Sequence, residues 1–459
     1  MIKNISTLAT TVCCCLPSWA GDLQSELMYL RDNHPMLRAT TFAVTASEKR
    51  YTAAKAGWLP KVDVAAERGP EKIKTIPYAA GKPSPTPSET DLQRQKQSVT
   101  VTQNLFNGGR TLATTGVARI ERDIKQAERS AISQEVLLEA IVAYLQVLKN
   151  QMLISLSQIN EQTTQRQLDM EKKRVERGGG VIVDELQAAT RLQLVRERRV
   201  LYEQGMRDAL SNYEQVFGKL PELSEFQNIE IMTSRLPATI EEAMDDADEF
   251  NPRIQSAKMA SERAHKMIRL ESAGFMPNVD VVGTRNREND AGQLYRKEED
   301  SVLVKLSWNL FSGRETVSRA QAAAYDFREA AEKEKNVSNK TREAVRVAWN
   351  QYKKGIERLA LLETAVKTSQ GVMQGRKKLR DAGKETALAV LDAEVEHFGL
   401  LANKVNATID AAMGSYRLLS TVGRLDIGML GLDEGQLEIP VQPIDLAIKA
   451  LVGDQILTR

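Results

Sequence analysis

Cysteine is nearly missing. The chain has 459 residues and three cysteines, Cys13, Cys14 and Cys15, side by side near its start. They lie in a segment that reads as an export signal. Lys3 supplies a weak positive start, residues 5–16 are mostly apolar, and Ser18-Trp19-Ala20 fits a small-x-small cleavage site, so removal of residues 1–20 is expected. A mature chain without cysteine excludes disulfides, thiolate metal sites and a cysteine nucleophile together. The triplet also lacks the look of a lipid anchor: Val12 precedes Cys13 where a small residue is usual, and the other two each follow a cysteine. Histidine is as scarce, and His34, His265 and His397 share no metal-ligand spacing, so no catalytic centre, metal or cofactor is expected. Excess charge is lacking too. Lys plus Arg is 63 against 61 Asp plus Glu, a net charge of +2, which does not suit a nucleic-acid binder. Aromatics make up only 5%, thin for a densely packed enzyme. Mean hydropathy is −0.37 and no apolar run approaches the ~18–20 residues of a membrane-spanning helix. Membrane β-strands escape that test because they alternate.

What is present is a duplication. Ala56-Gly57-Trp58-Leu59-Pro60-Lys61-Val62-Asp63-Val64 recurs as Ala273-Gly274-Phe275-Met276-Pro277-Asn278-Val279-Asp280-Val281, and His34-Pro35 as Asn251-Pro252, all at an offset of 217. Further on, Asn104-Leu105-Phe106 matches Asn309-Leu310-Phe311, Gly178 matches Gly383, and Gly218-Lys219-Leu220 matches Gly423-Arg424-Leu425, at an offset of 205. A single length difference, between Val64 and Asn104, accounts for the change; Pro77, Pro83, Pro85 and Pro87 mark that stretch as irregular.

Each half reads as helix, strand, loop, strand, long helix, turn, helix. The first helix is expected from Leu23 to about Gly57, and strands at 61–68 and 98–106. In the second half Val302, Val304, Leu306, Trp308 and Leu310 alternate with Ser301, Leu303, Lys305, Ser307 and Asn309, which predicts a strand with one lipid-facing side and with Lys305 and Ser307 on the other. Runs of about seventy residues without proline follow Asn107-Gly108-Gly109 and Ser312-Gly313. Ile124, Ala127, Ala131, Gln134, Leu138, Ile141, Leu145, Leu148, Met152, Ser155 and Ile159 step by three and four, a coiled-coil seam on a helix of roughly 100 Å. Gly178-Gly179-Gly180 lacks the Lys-Ser/Thr of a phosphate loop and reads as a turn between antiparallel helices. Four strands in two hairpins cannot close a membrane barrel, so membranous strands require eight as a dimer or twelve as a trimer.

This ordered, duplicated set resembles the TolC family of outer-membrane factors over nearly the whole mature chain. The features that carry it are the tandem repeat, Gly57-Trp58-Leu59-Pro60 entering a strand, the Leu-Phe-Asn-Gly-Gly and Leu-Phe-Ser-Gly exits, and the two turns at 178–188 and 383–393. The resemblance implies a mainly α fold with a small β part. Long coiled-coil helices would form an α-barrel through the periplasm, and four strands per chain would close a twelve-stranded barrel in the outer membrane of a Gram-negative bacterium as a homotrimer. The division expected is 21–220 and 241–425 for the repeats, with 221–240 and 426–459 as equatorial segments.

Partners implied are a periplasmic adaptor, an inner-membrane ABC or proton-driven transporter, and outer-membrane lipid. The missing lipid-anchor cysteine favours type I protein secretion; multidrug efflux is the alternative. A pore-less periplasmic coiled coil is the reading from another class, and amphipathic hairpins argue against it. The adaptor would dock at the helix tips, on Arg177, Gly178, Val181, Gly383 and Thr386. The family narrows its periplasmic end with acidic residues beyond the second tip. The inner one falls on Asp392, the position a turn earlier is Ala389, and the first-repeat counterpart is Asp184. Glu385 stands where the family's arginine partner is usual, which leaves Lys384 or Arg380 to make the closing link. A trimer would then ring its aperture with three Asp392 carboxylates and prefer cations.

Overall fold

The computed structural model describes residues 23–76, 78–79, 81–83, 88–222, 235–291 and 294–426. The signal segment, most of 221–240 and nearly all of 426–459 lie outside them. The helices of the two halves match one for one. Helices α1 (Leu23–Asn33) and α2 (Pro35–Lys55) correspond to α5 (Ile240–Phe250) and α6 (Pro252–Ser272), with 11 and 21 residues in each pair. α3 (Arg110–Glu176) and α7 (Glu315–Asp381) have 67 residues each, and α4 (Ile182–Phe217) and α8 (Ala387–Val422) have 36 each. The strands are β1 (Lys61–Thr75), the two-residue β2 (Tyr78–Ala79) and β3 (Lys82–Pro83), β4 (Ser88–Phe106), β5 (Asn278–Ala291) and β6 (Leu294–Ser307).

Three expectations change. The continuous first helix is broken at His34, because Pro35 has no N–H to donate and forces its predecessor out of helical geometry. The second half breaks at the same place, where the Asn251 side chain accepts from the N–H groups of Arg253 and Ile254 and starts α6. The first hairpin is longer than expected: β1 continues through Gly69-Pro70 and β4 starts ten residues before Ser98. Proline is tolerated there because β1 is an edge strand of the chain's sheet. Finally, β6 stops at Ser307, so Trp308 and Leu310 are not strand residues; the chain is already turning towards α7, and the Trp308 indole N–H donates to the Phe275 carbonyl at 3.1 Å.

The chain forms two compact units that cut across the repeats. One comprises Met1–Arg38, Ile132–Asp246 and Ala344–Arg459, the other Ala39–Ala131 and Ala247–Glu343. The core of the first gathers Leu27, Leu30, Leu137, Ile141, Tyr144, Leu145, Tyr213, Phe217, Tyr416 and Leu419, with Tyr213 and Phe217 stacked at 4.2 Å between ring centroids. The expected seam is buried at Ile124, Ala127, Ile141, Leu145 and Leu148, whereas Ile159 is 57% exposed. One stretch of α3 is long and apolar enough to cross a membrane, contrary to the reading of the sequence. It is mostly buried, and Leu137 to Leu148 within α3 supply core residues.

The second unit holds an antiparallel sheet in the order β1-β4-β5-β6, in which the two hairpins are joined through β4 and β5. Val62 pairs with Val101, Val101 with Gly283, and Gly283 with Val302. Residues opposite one another share a face, so the register fixes both surfaces. One face carries Val62, Val64, Val99, Val101, Val279, Val281, Val302, Val304 and Leu306. The other carries Asp63, Thr100, Thr102, Asp280, Thr284, Ser301, Lys305 and Ser307, interrupted by Val282 and Leu303. With the valine face towards lipid, Val304→Arg puts a charge in the bilayer at a cost of roughly 2–4 kcal/mol, and Ser307→Arg does not. Membrane assembly, followed by fractionation, should fail in the first variant and proceed in the second. Equal assembly of the two contradicts this facing.

Candidate functional site

The helix tips and the polar residues just above them form the candidate site, and all lie in the first unit. After α3, Gly178 adopts φ +74°, a left-handed conformation that a side chain would resist, and Gly178 and Gly179 donate to the carbonyls of Val175 and Arg174 at 2.9 and 3.0 Å. After α7, Gly383 takes φ +72°, and Gly383 and Lys384 donate to Arg380 and Leu379 at 2.9 and 2.8 Å. The chain thus reverses the same way twice.

The surfaces of the two turns differ. α8 is capped by Thr386, whose hydroxyl accepts from the Ala389 N–H at 3.2 Å; α4 begins after Val181, which offers no side-chain cap. Val181, Ile182, Val183 and Leu186 are 55–64% exposed, so the first tip presents an apolar knob. The second presents Lys384, Glu385 and Thr386, and the Glu385 carboxylate accepts from the Thr386 N–H at 3.3 Å. Of these residues Val181, Lys384, Glu385, Thr386 and the glycines are candidates from sequence, and Ile182, Val183 and Leu186 are not, because a turn motif says nothing about its neighbours.

Above the tips, the side chains pair differently from the expectation. Asp392 on α8 forms an ion pair with Arg191 on α4. Arg191 was not a candidate, since only the packing of α4 beside α8 brings the two together. Asp392 keeps 53% of its side chain exposed, so the carboxylate is neutralised by a partner and still reaches solvent. Arg380 donates to the buried Gln167 on α3 at 3.2 Å and pairs with its neighbour Asp381 at 2.9 Å. Lys384 makes no side-chain bond among the described residues, and neither does Asp184, which lies in the first turn of α4. Arg196 and Arg199 both reach the Glu161 carboxylate at 2.9 Å. Links between the two hairpins therefore run through Arg191–Asp392 and Arg380–Gln167, and Lys384 takes no part.

A second cluster is buried between α7 and α8. Glu394 is 2% exposed and meets Lys377 at 2.7 Å, and His397 Nδ1 lies 2.8 Å from the Ser369 hydroxyl. Burial lowers the His397 pKa below its ordinary 6.5, and the Lys377 charge adds to that effect.

A small membrane-type sheet with an apolar face, continued by long paired helices that reverse at glycine turns, defines the class of outer-membrane channels with periplasmic helical hairpins. The family model described as outer membrane efflux protein matches residues 28–219 and 243–424, and the chain belongs to that family. It is accordingly an outer-membrane channel protein and not an enzyme. The outer membrane protein TolC of Vibrio cholerae is 22% identical over 418 residues, covering 89% of this chain and 92% of the relative. The alkaline protease secretion protein AprF of Pseudomonas aeruginosa is 25% identical over 315 residues, 67% of this chain and 64% of the relative. Among solved structures, the outer membrane protein VceC of Vibrio cholerae superposes with a TM-score of 0.74 at 15% identity, covering 87% of this chain and 96% of that one.

The buried histidine makes the unit sensitive to acid. With its pKa lowered in the folded state, His397 contributes fully above its unfolded value; as pH falls below about 6.5 the unfolded chain gains a proton that the folded chain refuses. Between about pH 7.5 and about pH 5.5 the thermal midpoint should drop, and drop less in His397→Asn. Parallel pH profiles for the two proteins would remove His397 from this role.

Proposed function

We propose that three copies of the chain close a twelve-stranded barrel and a helical tunnel, through which substrates leave the periplasm in concert with an adaptor and an inner-membrane transporter. The carrying observation is the sheet: four strands with one apolar face and two open edges, β1 and β6, which lipid does not tolerate. The repeats at 21–220 and 241–425 each supply one hairpin and one pair of long helices, and 221–240 with 426–459 would girdle the tunnel.

The reading favours type I secretion of protein. It is supported by similarity to a protein named for alkaline protease secretion. Multidrug efflux is the second reading, supported by similarity to the efflux protein BepC of Brucella suis. Affinity purification from the native host separates them: an ABC transporter with its adaptor supports secretion, and a proton-driven pump supports efflux. The adaptor would meet the tips at Arg177, Gly178, Val181, Gly383 and Thr386. Cysteines placed at Val181 and Thr386 should crosslink to it, without interference because the mature chain has none of its own.

The aperture reading now centres on Arg191–Asp392, which ties α4 to α8, with Asp184, Lys384 and Glu385 as neighbouring charges. In reconstituted pores Arg191→Gln and Asp392→Asn should both raise conductance, because both cut the tie. Only Arg191→Gln leaves a free carboxylate, so only it should increase preference for cations. Wild-type conductance and selectivity in both variants, with the oligomer intact, would take this pair off the conducting path.

A further inference from the structure

Among the described residues one non-glycine has a positive φ: Arg314, at +70°. It stands where β6 hands over to α7, in the place of the first repeat's Gly109, which has φ +79°. An L-residue in this conformation is strained by its own Cβ, and arginine, unlike asparagine, has no short side chain to bond locally in compensation. The cost is incurred, yet among the described residues nothing uses the guanidinium. It has no hydrogen bond, ion pair or ring contact among the described residues. The adjacent carboxylate, Glu315, pairs with Arg319 at 2.6 Å.

The residues next to it in the chain are open to the surroundings. Leu310 is 78% exposed, Phe311 82% and Trp308 56%, and the Trp308 N–H is already satisfied by the Phe275 carbonyl while its ring stays open. At the same end of the sheet Trp58 and Phe106 are also open, at 55% and 46%. Exposed aromatic and aliphatic side chains at a strand end, with a cation beside them, are what a bilayer interface selects. This is the end from which the long helices depart, so the leaflet it meets is the periplasmic one. In an outer membrane that leaflet is phospholipid. The anion available there to a free guanidinium is the lipid phosphodiester, whose paired oxygens match the arginine fork.

We propose that Arg314 is a binding site for the phosphodiester of a phospholipid in the periplasmic leaflet, with Trp308, Leu310 and Phe311 seating its acyl chains. The proposal rests on the membrane orientation of the sheet given above.

The test compares the full-length, detergent-purified protein with Arg314→Gly and Arg314→Lys variants. Retained phosphatidylglycerol is titrated by native mass spectrometry, with phosphate-free diacylglycerol as control. Arg314→Gly should bind phosphatidylglycerol about ten-fold more weakly, the factor supplied by one charge-assisted hydrogen bond, and Arg314→Lys should keep most of the affinity. Diacylglycerol should not distinguish the three proteins. In lipid-free detergent Arg314→Gly should melt at a higher temperature, because the backbone strain is gone. Unchanged phosphatidylglycerol binding in Arg314→Gly overturns the proposal. So does a loss of oligomer in that variant without lipid, which would assign the guanidinium to a neighbouring copy. Quenching of Trp308 by brominated lipid, in a background with Trp58 and Trp349 changed to Phe, keeps the two readings apart. Quenching with unchanged lipid affinity defeats the arginine site alone; no quenching defeats the orientation on which it depends.

Discussion

Backbone hydrogen bonding in a medium without water is the constraint from which the rest of this molecule follows. A strand in lipid must have both edges paired, and the chain's sheet leaves β1 and β6 each with one free edge. Nothing among the described residues of one chain repairs that: β1 and β6 lie at opposite sides of four strands, and four strands are too few to curl into a barrel. The register that joins β4 to β5 puts valines from all four strands on one surface, bordered by Arg285 and Asp300, and Asp63, Asp280, Lys305 and most of the hydroxyl side chains on the other. In the proposed orientation, oligomeric closure and a polar lumen both follow from one sheet.

Duplication supplies this sheet economically, because each repeat brings one hairpin and a long helix pair of matching lengths. The repeats then diverge where surfaces matter. The first tip is apolar and uncapped, the second polar and capped by Thr386. At the strand exits, Gly109 in the first repeat becomes Arg314 in the second, exchanging a relaxed backbone for a guanidinium at the membrane edge. Near the tips, Asp392 has gained a partner on the other hairpin through Arg191.

Much of this was legible in the residues. The shift of offset between Val64 and Asn104 locates the extra residues of the first repeat, although the prolines there read as an irregular loop and not as longer strands, and the alternation from Val302 to Leu306 picks out the apolar face. His34-Pro35 reads in the sequence as a repeat marker and not as a helix break, and the strand expected at 61–68 stops short of Gly69-Pro70, through which an edge position lets β1 continue. Strand alternation ran past its true end at Ser307, since Trp308 and Leu310 keep the pattern while leaving the ladder. The partner of Asp392 was out of reach for a different reason. A residue's spacing on its own helix fixes its phase but not which helix lies opposite, and Arg191 is 201 positions away. Lys384 was the natural candidate by proximity in sequence, and packing left it unpaired among the described residues.

The central claim is that the open edges of this sheet are closed by other copies of the same chain. Native mass measurement of the protein released intact from outer membranes, without crosslinker, addresses it most directly. Three copies in a single species that conducts ions after reconstitution is the predicted result. A membrane-inserted, folded species containing one copy would contradict the account, because its two edge strands would then stand unpaired in lipid.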